Sequence, residues 1–418
     1  MTGQLAFVES PVQLLNVLEW SHARTCAPAT ARAQDPATAP LAGPAGPQPG
    51  TGLPGLPAQR HRRAAPAPAE GPAAGSGAGE SGATGGAAAG PTAGLTIVVL
   101  SPTDPMSRGQ LRRMAQLARD EGFHVRWQEA RGGRGALVRT LRELAPLLRA
   151  ADRVIVGDPF SRYVQLLLTL FGPRRLTVVD DGTATMEFAS QLARGERLVR
   201  WHRRGSRGPR ELVLAPVSAL ARRRLAPTRR RTVEIFTSLP VQPPPGTTVT
   251  PHTFAWTRAR FGPPRLTRGA DLVGTSLVET GVVDADRYTK AVADLARTHG
   301  ATRYFAHRRE STEKLHRIAV ETGLEIVRPE LPLEVIARRG PIGRTVVSFP
   351  STVVHTLPLA LEGTGVKVAV CEIAPEWLRE NVSPRAQGFL AGVAGTAAHE
   401  VDRLTTRAAP AVERLEFG

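Results

Sequence analysis

Four short clusters in this chain carry side chains able to move protons or hold phosphate. Asp180 and Asp181 stand together after the apolar run Leu176-Thr177-Val178-Val179 and are followed by Gly182. Two carboxylates at a strand end can turn one side chain into a cleft, while glycine permits a tight turn and close backbone approach. The plain alternative is a turn in which aspartate hydrogen-bonds its own backbone. His307 also follows an apolar strand pattern, and Arg308 and Arg309 come next. An imidazole there can protonate a departing oxygen or hold its charge, the guanidiniums adding positive potential. Ser351-Thr352 opens a helical pattern carried by Val353, Val354, Leu357 and Leu361. Hydroxyls and free N–H groups at such a start bind phosphate, or simply cap the helix. Glu334 can accept hydrogen bonds from a ribose diol, or sit solvated in a first turn that the helix dipole favours.

Each cluster needs a strand to present it, and the pattern supplies one. Residues 4–9 read as a buried strand and Ser10-Pro11 as the start of a helix through Leu14, Leu15, Val17, Leu18 and Trp20. Apolar runs return at 95–100, 125–127, 153–157 and 175–179, separated by helical spacing at 108–121, 137–148 and 160–171. A second series places strands at 233–237, 271–274, 302–306, 324–327, 345–349 and 366–371, with helices at 285–299, 313–322 and 333–338. Strands apolar throughout and alternating with helices predict α/β folding, with parallel sheets covered on both faces. Ligands in such sheets bind beyond the carboxyl ends of the strands, where all four clusters fall.

The expected organisation is two doubly wound Rossmann-like domains facing a central cleft. The first takes residues 1–26 and 94–232 and the second 233–390, with a tail or helix at 391–418. Residues 27–93 are Ala, Gly, Pro, Thr and Ser around a basic knot at Arg60-His61-Arg62-Arg63, too poor in large apolar side chains to offset ordering entropy. They read as a disordered insertion. Residues 194–231, with Arg222-Arg223-Arg224 and Arg229-Arg230-Arg231, read as the interdomain stretch.

The 418 residues carry a net charge of +17, almost all of the excess as Arg, which suits phosphate-bearing partners or an anionic membrane surface. The charges are spread rather than gathered in one stripe, so nucleic acid is not the expected partner. Two cysteines, Cys26 and Cys371, offer neither a disulfide framework nor a zinc site, which fits a cytoplasmic protein. No window supplies about 18 uninterrupted apolar residues, so membrane association is expected to be peripheral, at the inner surface.

Order and spacing connect the clusters. Asp-Asp-Gly in the first half, His307, Glu334 27 residues on, and Ser351-Thr352 beginning 44 residues beyond the same histidine resemble bacterial sialyltransferases and polysialyltransferases. Those families combine a D/E-D/E-G motif, a His-Pro motif, a glutamate and a paired Ser/Thr motif on a GT-B fold. The opening Phe7-Val8-Glu9-Ser10-Pro11-Val12-Gln13-Leu14-Leu15-Asn16 also looks like the start of the polysialyltransferase-like group. The resemblance implies an inverting transferase that needs no metal and moves sialic acid from a CMP-activated donor to a cell-surface glycan acceptor. It implies Asp181, beside Asp180, as general base and His307 as general acid on the phosphate. Glu334 would hold the ribose, and Ser351 and Thr352 the phosphate. Arg308 stands where the family has proline, and could pair with a donor carboxylate or phosphate. The alternatives are a GT-B transferase using another nucleotide sugar, and a non-catalytic binding protein on the same fold.

Overall fold

The computed structural model describes residues 3–26, 94–133, 135–200 and 209–380, together with Val382, Gly388, Leu390, Gly392, Gly395 and 402–404. The stretch expected to be a disordered insertion lies outside the described residues, as does most of the expected C-terminal tail.

Seven strands form the first sheet: β1 (Gly3–Val8), β2 (Leu95–Leu100), β3 (His124–Gln128), β4 (Ala151–Val156), β5 (Arg175–Val179), β6 (Thr232–Thr237) and β7 (Thr248–Pro251). Their order is β3-β2-β1-β4-β5-β6-β7, every pair parallel. Helices α1 (Pro11–Cys26), α2 (Pro105–Asp120), α3 (Ala136–Ala150), α4 (Arg162–Leu170), α5 (Thr183–Ala193), α6 (Pro209–Leu225) and α7 (Ala255–Arg260) connect and cover it. Two apolar clusters, one per face, show why its strands are continuously apolar. Leu5, Phe7, Val154, Val156, Leu176 and Val178 pack to one side, and Ala6, Val8, Ile97, Val99, Ile155 and Val179 to the other.

The second sheet holds β8 (Leu266–Val273), β9 (Ala301–Phe305), β10 (Glu325–Val327), β11 (Ile342–Ser348), β12 (Lys367–Cys371) and β13 (Asp402–Leu404). Its order is β10-β9-β8-β11-β12-β13, again all parallel. Around it lie α8 (Ala285–His299), α9 (Thr312–Thr322), α10 (Leu333–Arg339) and α11 (Val353–Ala360). Asp284 and Ser311 cap α8 and α9 by accepting backbone N–H bonds.

Each sheet thus repeats one winding. The first strand is central, the next two step outward on one side, and the fourth starts the other side. The loops flanking the reversal, after β1 and β4 and after β8 and β11, border a crevice at the strand carboxyl ends.

Two expectations are corrected. Val233–Thr237 does not open the second half, because β6 pairs with β5 through Val233 to Phe236 and β7 follows it, so the second sheet starts at Leu266. An apolar run shows that a strand is buried without showing in which sheet. Residues 194–231 are also more than a connector, since α6 packs on α4 and buries Ala221 and Leu225 behind its arginines.

Candidate active site

The acidic pair divides its labour. Asp180 is buried and its carboxylate is fully used within the first half. Oδ1 accepts the Gly182 N–H at 2.9 Å, and Oδ2 accepts the Thr237 hydroxyl at 2.8 Å and both the N–H and the hydroxyl of Ser238 at 3.3 Å. Asn16 Nδ2 donates to the Asp180 carbonyl at 2.8 Å. Burial raises the pKa of this carboxyl, and the hydrogen bonds oppose that rise. Asp180 ties the end of β5 to the end of β6 and to α1, which leaves Asp181 to face the cleft.

Asp181 has a different setting. Its side chain is 16% exposed, and Arg200 Nη2 stands 3.5 Å from Oδ2. Loss of solvent first, and the nearby Asp158 carboxylate second, push its pKa up to about 7. Arg200, a Gln13 hydrogen bond and Arg308 pull the other way. Asp158, in the loop after β4, accepts Arg200 Nη2 at 2.8 Å and the Phe160 N–H at 2.8 Å. A carboxylate poised near neutrality is suited to take a proton from a hydroxyl.

The first turn of α1 braces this arrangement. Gln13 Oε1 accepts the Glu9 N–H at 2.7 Å, and the Gln13 amide lies flat on Gly157, where a Cβ would come within 2.5 Å of it. Glycine at 157 is what lets Gln13 reach Asp181. Glu9, its pKa raised by burial, is held by Arg131 and by the Ser161 hydroxyl.

The second half brings His307 and Arg308 to the same crevice. The His307 N–H donates to Glu310 Oε2 at 2.6 Å, and the Arg309 N–H donates to His307 Nδ1 at 3.2 Å. With Nδ1 occupied as an acceptor, the neutral ring carries its proton on Nε2. Burial, followed by the charges of Arg308, Arg309 and Lys314, lowers the His307 pKa to about 4, so the free ring is neutral at pH 7. Beneath it is a buried network. Glu310 Oε1 accepts the Tyr304 hydroxyl at 2.6 Å and pairs with Lys314 Nζ at 2.7 Å, while Tyr288 and Tyr304 share a 2.7 Å bond. Glu310 and Tyr304 pack directly against the Cα of Gly274, leaving no room there for a Cβ. Glu310 thereby holds the histidine backbone in place.

Arg308 forms no hydrogen bond or ion pair among the described residues, yet it lies within electrostatic reach of Asp181 and Asp104 of the first half. Burial lowers its pKa, and those two carboxylates oppose the change. Thr352 closes the arrangement. A Cβ on Gly182, whose φ is +66°, would stand 3.3 Å from Thr352 Oγ1. The Asp-Asp-Gly turn and the Ser-Thr turn are therefore close neighbours, with no room to spare for a side chain at 182. Ser351 Oγ is buried without a hydrogen-bond partner among the described residues. Glu334 is buried too, with Oε1 accepting the Thr356 hydroxyl at 2.6 Å, so one oxygen is committed before any ligand arrives. Its pKa is raised first by burial, and Asp180 across the crevice adds to this.

The structure thus gathers Asp181, His307, Arg308, Ser351, Thr352 and Glu334 along one crevice, with Asp180 turned inward behind them. Gln13, Asp158, Arg200 and Glu310 were not singled out by sequence reasoning. For Gln13 the signal was its place in the Phe7-to-Asn16 opening. Asp158 and Arg200 meet each other only through the fold, while Glu310 meets His307 and Lys314 within one helical turn on either side. Among the described residues, no group of three or more His, Cys, Asp or Glu side chains is arranged to hold a metal ion. No helix among them is long and apolar enough to cross a membrane.

Two doubly wound parallel sheets, each flanked by helices and opposed across a polar crevice, define the GT-B type of α/β fold. No family model and no curated protein matches the chain. Among solved structures it is similar to the α/β-galactoside α-2,3-sialyltransferase of Photobacterium phosphoreum, at 10% identity and a TM-score of 0.38, over 74% of this chain and 90% of that one. It is also similar to MurG of Acinetobacter baumannii, at 12% identity and a TM-score of 0.30, over 74% and 78% of the two chains. A LacI family transcriptional regulator of Lactobacillus casei with bound glucose gives 13% identity and a TM-score of 0.17, over 72% and 93%.

Proposed function

We propose that the protein is an inverting glycosyltransferase that transfers sialic acid, or a closely related acidic sugar, from a CMP-activated donor to a hydroxyl of a glycan acceptor. The observation that carries this reading is Asp181. It is a carboxylate with a pKa raised to about 7, opposite His307 and Arg308 of the other half, with Thr352 beside its own turn. In the proposed reaction Asp181 takes the proton of the acceptor hydroxyl. The acceptor oxygen attacks the anomeric carbon from the face opposite the phosphate, and the bond to the phosphate oxygen breaks with its electron pair leaving on CMP. His307 Nε2–H, Ser351 Oγ–H, Thr352 and the N-terminal N–H groups of α11 receive the charge on the phosphate. An anionic phosphate beside His307 raises its pKa, so proton donation becomes available when the donor is bound. Arg308 pairs with the sugar carboxylate, Glu334 with the ribose, and no step requires a metal.

The test is turnover of CMP-sialic acid, with and without an oligosaccharide acceptor, by wild type, Asp181→Asn and His307→Gln. Loss of at least a hundredfold in each variant is expected, as general acid–base groups typically contribute about that much. Equal turnover by all three proteins would remove these residues from the mechanism. In parallel, CMP is expected to raise the melting temperature more than UMP or GMP does. The reverse order would point to a transferase using another nucleotide sugar.

A further inference from the structure

The end of the first sheet opposite the Asp180-Asp181 turn carries a concentration of charge for which the cleft has no use. A cavity of about 460 Å³ opens there, lined among others by Arg149, Asp152, Phe171, Gly172 and Arg174. Asp152 is the acidic side chain of that lining, and Arg175 stands 3.4 Å from it. Beside the cavity two guanidiniums converge over Gly172. A Cβ on that glycine would lie 3.1 Å from Arg224 Cζ and 3.4 Å from Arg231 Nη2. Arg231 is fixed in place by donating to the carbonyls of Pro173 at 3.1 Å and Arg223 at 3.0 Å. Arg224 Nε is buried with no hydrogen-bond partner among the described residues. Burial and the neighbouring Arg224 both work against the charge on Arg231. Two cations held together in this way are unfavourable until an anion joins them.

Complementing helix dipoles does not explain the number of arginines. One cation in the last turn serves that purpose, whereas α6 ends in Arg222, Arg223 and Arg224, and the turn after it exposes Arg229 and Arg230. Apolar side chains stand in water at the same end. Leu170, which ends α4, is 55% exposed, and Leu220, one turn before Arg224, is 41% exposed. α4 and α6 pack together, and Leu170 stands two residues before Gly172, over which the arginine pair converges.

We propose that this end of the first half is a docking surface for an anionic phospholipid bilayer. Headgroup phosphates meet the arginine pair over Gly172 and the exposed Arg229 and Arg230, and Leu170 and Leu220 enter the interfacial layer. A nucleic acid would satisfy the charge but leave the leucines in water, so the bilayer is the better fit. Arg175 and Asp180 lie at opposite ends of β5, a strand's length of roughly 16 Å, so a protein seated this way keeps its crevice turned toward water.

The experiment is co-sedimentation of the full chain with vesicles of phosphatidylcholine alone and of phosphatidylcholine mixed with phosphatidylglycerol, across a salt series. Binding is expected only to the mixed vesicles and is expected to weaken with salt. Arg229→Ser with Arg230→Ser should lower the affinity roughly tenfold or more, since each basic residue near an anionic surface contributes about fivefold. Leu170→Ser with Leu220→Ser should lower the affinity for the mixed vesicles at every salt concentration without changing the slope of the salt dependence. All four positions are exposed, so the melting temperature of each variant should match wild type. Equal binding to neutral vesicles, unchanged binding by the arginine variant, or capture of single-stranded DNA without vesicle binding would each overturn the proposal.

Discussion

Replacing Gly182 by alanine tests the contact on which the whole site depends. Gly182 has φ +66° and ψ −132°, a region that side-chain-bearing residues rarely enter, and occupying it costs about 1–3 kcal/mol. The new Cβ would also meet Thr352 Oγ1 at 3.3 Å and Cγ2 at 3.4 Å, tight enough that the start of α11 must yield by a few tenths of an ångström. Overpacking of this kind adds about 1 kcal/mol, for a total of about 2–4 kcal/mol. At roughly 1.6 °C per kcal/mol for about 300 ordered residues, the melting temperature should fall by about 3–6 °C. Differential scanning calorimetry can separate the two contributions. Gly281 has φ +71° with nothing within 4 Å of its would-be Cβ, so Gly281→Ala reports a backbone cost alone and should shift the melting point less. Adding Thr352→Ala to Gly182→Ala should restore the contact part. If Gly182→Ala melts with wild type, or no lower than Gly281→Ala, the two turns do not press on each other and the proposed assembly across the crevice is wrong.

Three further outcomes follow from the same geometry. Asp181 has a folded-state pKa raised to about 7 against an ordinary 3.8, so the folded chain holds its proton more tightly than the unfolded chain between those values. Its contribution to stability therefore falls as pH rises from about 4 to 7. Asp181→Asn should melt above wild type at pH 8, with the gap closing toward pH 4, and a gap constant with pH would refute the raised pKa. His307 should titrate near pH 4 in the free protein by NMR and shift upward when CMP is added, whereas a free value near 6.5 would remove the burial argument. Glu310→Ala should cost about 2–3 kcal/mol in urea denaturation by unpairing the buried His307 N–H and Tyr304 hydroxyl, while Lys314 keeps Glu279 and the Thr275 carbonyl, with Glu310→Gln milder. A loss below 1 kcal/mol would mean that the network under His307 does not hold it.

The fold class was legible because strands buried on both faces need no alternation. Runs such as Leu176 to Val179 announce themselves whatever surrounds them. Sheet membership was not legible. Val233 to Thr237 is such a run, and only its pairing with β5 assigns it to the first half, while the arginines before it imitate a linker. The edge strand β7, with Thr248 and Pro251 exposed, has no buried pattern to read. At the site, residues at strand ends could be named because the sheet dictates where ligands go. Asp158 and Arg200 act through a contact between residues distant in sequence, and nothing local marks them; Glu310 has local partners in His307 and Lys314, but its burial beneath the histidine comes from the fold. The separate duties of Asp180 and Asp181 likewise come from Thr237 and Ser238, more than fifty residues away.

Leu331, Val335 and Ala360 belong to helices and loops of the second half, yet they pack in the apolar cluster of the first alongside Leu14, Phe254 and Trp256. Arg258 reinforces that seam by donating to the Leu359 carbonyl at 2.9 Å, and Arg338 by donating to that of Phe261 at 3.1 Å. The two sheets are therefore not interchangeable modules. A chimera that grafts the second half onto a foreign first half exposes three apolar side chains and leaves the Leu359 carbonyl and the Arg338 Nε–H without their partners. A recombinant fragment beginning at Leu266 should precipitate or capture chaperones, even though its own sheet is complete.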